Sequence, residues 1–141
     1  MSYIETAARY DKITEDGTVK KVTERFIVEA LSCPEAEART IEELTPFVSG
    51  DLEVTANKKV AVAEVINAAD ADRLYLAKVA FVAIDERTAK EKRTVSQWLV
   101  GGTDFNDAYE MLLRQLNGIM ADTEIVSLGE TAYRDFYPIK K

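Results

Sequence analysis

Asp104-Phe105-Asn106-Asp107-Ala108-Tyr109-Glu110-Met111-Leu112-Leu113-Arg114-Gln115-Leu116 reads as an amphipathic helix, and its pattern occurs twice in the chain. Leu112, Leu113, Leu116 and Ile119 recur at helical spacing, and Asp104 stands in front as an N-cap. The earlier copy is Ser32-Cys33-Pro34-Glu35-Ala36-Glu37-Ala38-Arg39-Thr40-Ile41-Glu42-Glu43-Leu44. There Ser32 and Glu35 form a capping box, and Pro34 sits in the first turn, where its missing N–H costs nothing. Ile41, Leu44 and Val48 supply the buried stripe, and Ser49-Gly50 is the stop signal.

The match extends outward from the helices. A shift of 72 positions carries Lys20, Lys21, Phe26, Ile27 and Val28 onto Lys92, Arg93, Trp98, Leu99 and Val100. It also carries Ser32 onto Asp104, Ala36 onto Ala108, Ile41 onto Leu113 and Leu44 onto Leu116. A shift of 71 carries Tyr10 and Ile13 onto Phe81 and Ile84, and Asp51, Glu53 and Val54 onto Asp122, Glu124 and Ile125. Each half therefore reads hairpin, helix, strand. The period is too long for a solenoid. Two fused copies of one small unit explain it, and chance likeness between two amphipathic units is the alternative. The expected fold is α+β: one domain over residues 1–141, built of two ββαβ repeats at about 3–66 and 74–137. Its sheet is mostly antiparallel, with two helices packed on one side.

Local signals fill in the units. Residues 3–13 have strand-like density of β-branched and aromatic side chains, Asp16-Gly17 offers a tight turn, and residues 19–31 return. Residues 51–66 read as extended with a bend at Asn57-Lys58-Lys59, and residues 67–72 join the repeats. Residues 73–85 are apolar on both faces, the mark of a strand buried on both. One face would meet a helix and the other a partner subunit or a ligand, so a homo-oligomer is expected. Gly101-Gly102 would break the strand before the second helix. Pro138 would end the last strand, residues 131–137, leaving Lys140-Lys141 as a tail.

Composition excludes several function classes. There is no histidine, which removes Ser-His and Cys-His nucleophile pairs and histidine-bound zinc. The single cysteine, Cys33, forms no intrachain disulfide, which fits a reducing cytoplasm. No apolar run approaches the roughly twenty residues of a membrane span, and Met1-Ser2-Tyr3-Ile4-Glu5 reads as a strand start, not a leader. Asp51-x-Glu53 and Asp122-x-Glu124 place paired carboxylates on a strand face, either for Mg²⁺ or as a solvated edge. No metal, cofactor or catalytic residue is assigned, and a non-enzyme is expected.

Charge distribution is more informative than the net value of −7. Residues 32–50 and 104–122 each carry four acids and one base, whereas residues 73–93 carry six bases and three acids. Basic residues interleave with aromatics on the strands: Tyr10, Lys12, Lys20, Lys21, Arg25 and Phe26, then Tyr75, Lys78, Phe81, Lys90, Lys92, Arg93 and Trp98. Such a mixture suits stacking of unpaired bases along a phosphate backbone. It equally suits a core of aromatics with solvated lysines at the turns. The candidate ligand-binding set is Lys20, Lys21, Arg25, Tyr75, Lys78, Lys92, Arg93 and Trp98.

Several runs resemble a known family. They are Tyr10-Asp11-Lys12, Lys20-Lys21-Val22-Thr23-Glu24, Ala30-Leu31-Ser32 with Glu35-Ala36-Glu37-Ala38-Arg39, Glu43 with Thr45-Pro46-Phe47, and Met120-Ala121-Asp122 with Glu124-Ile125-Val126-Ser127. Together they are similar to an uncharacterised domain-of-unknown-function family of Bacteroidetes and of the phages that infect them. The resemblance covers nearly the whole chain and implies a cytoplasmic, phage- or mobile-element-linked protein, with no site residues to carry over. By analogy of architecture, the repeat is similar to the fused-repeat Whirly and Pur proteins, which bind single strands on sheets. Three functions stay open: a binder of single-stranded nucleic acid, a small (cyclic) nucleotide binder sequestering a defence second messenger at an oligomer interface, and a structural homo-oligomer.

Overall fold

Two four-stranded sheets, each packed against one helix, make up the computed structural model, which describes residues 2–140. Met1 of the expected first strand and Lys141 of the expected tail lie outside the described residues. Chain order is β1 (Ser2–Ile13), β2 (Val19–Ala30), α1 (Cys33–Leu44), β3 (Leu52–Val60), β4 (Glu64–Ile66), β5 (Arg73–Ile84), β6 (Glu91–Gly102), α2 (Phe105–Asn117), β7 (Asp122–Glu130) and β8 (Tyr133–Tyr137). The class is the expected α+β, with mostly antiparallel pairing in two sheets instead of one.

The chain divides into two compact units. One is the chain up to Val60 together with the chain from Ala132 on; the other is Ala61–Thr131. The first unit's sheet runs β3-β1-β2-β8 and the second's β7-β5-β6-β4. In each, a long hairpin is flanked by a nine-residue antiparallel strand and by a short parallel one. The short strand of each unit comes from the other half of the sequence: β8 closes the first sheet and β4 the second. Even the irregularities correspond. The β1/β3 ladder slips between Ala7 and Ala8, and the β5/β7 ladder between Lys78 and Val79, 71 positions later.

Each helix is capped as its sequence requires. Ser32 Oγ accepts from the Glu35 amide at 3.3 Å, and Asp104 Oδ1 from the Asp107 amide at 2.8 Å. Glu35 reaches back to the amide of Leu31, one residue beyond the partner expected for a capping box. In α1 the buried line is Ala36, Thr40 and Leu44, while Ile41 turns outward. Pro46 starts a 3-10 turn at Thr45–Phe47, so the helix stops short of Val48, and Gly50 takes its φ of 117° in the loop beyond. In α2 the buried line is Ala108, Leu112 and Leu116.

These lines seal two separate cores. Ile4, Ala8 and Tyr10 meet Phe26, Val28, Ala36, Leu44 and Tyr137 in the first unit. Tyr75, Ala77 and Val79 meet Trp98, Val100, Ala108, Leu112 and Leu116 in the second. The first also buries a polar pair, with Thr6 and Thr40 hydroxyls 2.8 Å apart and Thr40 donating to the Ala36 carbonyl. Two local expectations change. Asn57-Lys58-Lys59 continue β3, and the break comes at residues 61–63; Gly101-Gly102 stay within β6. Leu74, Ala80 and Leu99, on the face of the second sheet away from α2, are buried in the single chain. Toward the turn the same face opens, with Ile84 72 % exposed.

Candidate functional site

Strand alternation sorts the candidate residues by face. In β2, Lys20 shares the helix-covered face with Phe26, whereas Lys21 and Arg25 occupy the opposite face. In β6, Lys92 shares the helix-covered face with Trp98, and Arg93 lies opposite. Lys78 of β5 lies on the same face as Arg93, away from α2, across from Gln97 and Ser127. All six bases are exposed. Lys20 and Lys92 stand six residues from Phe26 and Trp98, about 20 Å along an extended strand. They therefore sit near the hairpin turns, beyond the reach of the helices.

The aromatics belong elsewhere. Tyr75 is 2 % exposed and Trp98 3 %, so neither offers a ring face to a ligand. Trp98 donates its indole N–H to Ser96 Oγ at 3.0 Å and packs on Phe81, and both rings help form the second unit's core. Tyr10 and Phe26 are likewise buried, with Phe26 stacked on Tyr137 at 5.4 Å. Burial, and its hydrogen bond to Glu24, push the Tyr10 hydroxyl up to about 12. A stacking platform built from Tyr75 or Trp98 is thus corrected by the structure: the interleaved sequence pattern separates into core aromatics and outlying bases.

One base joins the set that sequence spacing alone did not single out. Arg9 lies opposite Thr23 on the face of the first sheet away from α1, with Lys21 and Arg25 at the two diagonal positions. Diagonal neighbours across strands stand about 7–8 Å apart. Alternation counted along β1 from Tyr3 would have placed Arg9 there. No ion pair holds Arg9, Lys21 or Arg25 among the described residues, although Arg25 lies close enough to Tyr133 to act on its hydroxyl. Arg93 is tethered to Glu124 at 3.2 Å, both half-exposed, and Lys12 to Glu24 at 3.2 Å.

Other candidate sites are occupied by structural roles. Glu124 serves Arg93, and no cluster of three or more metal-ligating side chains exists among the described residues. Cys33 opens α1, half-buried against the first core. A cleft of about 180 Å³ between α1 and the chain end is lined by Glu29, Glu35, Arg39, Glu42 and Lys140. Those groups are already used: Glu29 by the Ile139 amide, Glu35 by the Leu31 amide, Arg39 by Glu43 and the Pro138 carbonyl, and Glu42 by Lys140. An acid-rich cleft with spent cations has little to offer a phosphate.

The family model described as Domain of unknown function (DUF4494) matches residues 2–139. The chain belongs to this family. That agrees with the resemblance carried by the runs around Tyr10, Lys20 and Glu35, and it assigns no activity. Comparison with curated proteins gives no match.

Proposed function

We propose that this protein is a non-enzymatic binder of single-stranded nucleic acid, gripping the phosphate backbone with exposed bases toward the hairpin turns of its sheets. The observation that carries the reading is the exposed triad Arg9, Lys21 and Arg25 on the face away from α1, none of them closed into an ion pair among the described residues. Lys78 and Arg93 stand on the corresponding face of the second sheet. With Tyr75 and Trp98 in the core, recognition is of phosphate and is indifferent to base sequence. Carboxylates share these faces, with Asp11 opposite Lys21 and Glu53 opposite Arg9, so phosphate would be gripped by individual exposed bases and not by a uniformly basic surface. The resemblance to proteins of Bacteroidetes and their phages supports a phage- or mobile-element-linked role, and the lone cysteine supports a cytoplasmic one.

The test is fluorescence anisotropy with a labelled single strand at low salt, beside a duplex of equal length. Binding in the range of about 10⁻⁶–10⁻⁴ M that weakens steeply with salt is expected. Tighter binding of the duplex would reassign the ligand, and no binding of either would end the nucleic-acid reading.

A further inference from the structure

The segment Tyr133–Lys140 is held by the first unit almost residue by residue, in the manner of a bound peptide. β8 adds alongside β2 in parallel, from Arg25 to Val28. On the face away from α1, Tyr133 donates its hydroxyl to Glu5 Oε1 at 2.7 Å. On the helix side, Tyr137 stacks on Phe26 at 5.4 Å and lies 5.7 Å from the Arg39 guanidinium. Arg134 pairs with Glu24 at 3.3 Å. Past the strand, Arg39 donates to the Pro138 carbonyl at 2.6 Å, the Ile139 amide donates to Glu29 at 3.0 Å, and Lys140 closes on Glu42.

The covalent attachment of this segment lies elsewhere. Between Val60 and Ala132 the first unit is interrupted by the whole of the second, Ala61–Thr131. β8 follows β7 of that unit through Thr131 and Ala132 alone. Thr131 is itself anchored, with its amide 2.9 Å and its hydroxyl 2.8 Å from the Leu74 carbonyl oxygen, so Ala132 is the one residue between two fixed points. The counterpart β4 lies inside the continuous stretch Ala61–Thr131, and the second unit is therefore closed by its own run of chain.

We propose that the groove beside β2 is a strand-acceptor site, and that a second copy of this chain fills it with its own Tyr133–Lys140, giving a dimer that exchanges β8. The occupant is identified by the match: the groove presents Glu24, Glu29 and Glu42, and the segment brings Arg134, the Ile139 amide and Lys140 to them in order. Strand addition of this kind takes affinity from main-chain hydrogen bonds and specificity from side chains. The contacts are the same in exchanged and unexchanged forms, so only the hinge and the cost of association separate the two. Short hinges are the ones that invite exchange.

The test refolds an equal mixture of isotope-labelled and unlabelled full chain from urea, at about 0.1 mM and at about 1 mM. A carbodiimide then couples touching lysine and carboxylate side chains, and mass spectrometry of the digest reads the Glu42–Lys140 cross-link. Exchange should give cross-links that join a labelled to an unlabelled peptide, in a dimer fraction that grows with concentration. Deleting Ala132 should raise that fraction several-fold, and inserting a Gly-Ser pair after it should lower the fraction. Cross-links confined to one isotope class at both concentrations in the unmutated chain overturn the proposal, whether or not the deletion variant folds. A dimer that lacks mixed Glu42–Lys140 cross-links also overturns it and assigns the interface to another surface.

Discussion

Gly101 lacks a side chain because another stretch of backbone runs where one would be. A β-carbon there would stand 2.0 Å from the Asn67 carbonyl oxygen and 2.6 Å from the Ala71 β-carbon. Asn67 follows β4, and its left-handed φ of 50° turns the chain away at that point. Gly101→Ala should therefore push the β4 exit off the sheet and cost about 3 kcal/mol, the upper end for overpacking, read as a lowered urea midpoint. Amide exchange should localise the loosening to the Ala63–Gln97 hydrogen bond and its neighbours. Stability like that of the unmutated chain would show that β4 is not held there. The glycine pair is visible in the sequence as a break before a helix. Its cause is not visible, because it is a contact with a segment 34 positions away. The same blindness hid the fate of Trp98: alternation gives the face of a strand, but how far the helix reaches along that face is a tertiary fact.

Helices and strands were the legible level. Capping residues and stripes located both helices, and Leu44 and Leu116 do occupy matching buried positions, 7 % and 6 % exposed. Leu44→Ala and Leu116→Ala should each cost about 2–5 kcal/mol by calorimetry or denaturant, and by similar amounts. A large inequality would mean that only one helix is closely packed. Less legible was Thr40, a polar residue in the buried line of α1, since its partner Thr6 lies on another element. The strands of the first unit also carry an alkaline limit. Burial raises the hydroxyls of Tyr10, Tyr133 and Tyr137, helped by Glu24, Glu5 and Asp135 respectively. A group whose pKa is raised by folding stabilises fully below its unfolded value, about 10, and loses that contribution as pH rises through the folded value. For Tyr10 the window is pH 10 to about 12, and the other two titrate higher still. Tyrosinate absorbance should lag behind free tyrosine over that window, and β-sheet ellipticity should fall as these rings ionise. Ordinary ionisation near pH 10 with intact ellipticity would contradict the burial.

Across the whole molecule, the likeness of the two units was readable because 71- and 72-position shifts align bases, aromatics and helix caps together. That β4 and β8 each join the sheet built by the other half of the sequence was not, because strands of three and five residues are too short to show a period. Charge is the property most open to test at this scale. Arg9, Lys21, Arg25, Lys78, Lys92 and Arg93 all stand exposed on the strands. Lys21→Glu with Arg25→Glu in the first unit, or Lys92→Glu with Arg93→Glu in the second, should weaken single-strand binding whatever the base sequence. Each lost phosphate contact should flatten the salt slope by about 0.7. Stability should change by no more than about 0.5 kcal/mol per exposed site, since the Arg93–Glu124 pair is half-solvated and contributes little. Trp98→Ala makes the opposing control: it should lower the melting temperature strongly, because the ring is core, while leaving the salt slope of the folded protein unchanged. If Trp98→Ala flattened the slope and the charge reversals did not, the ligand would lie on the helix-covered face. The exposed bases on the opposite faces would then be no more than solvated strand charges.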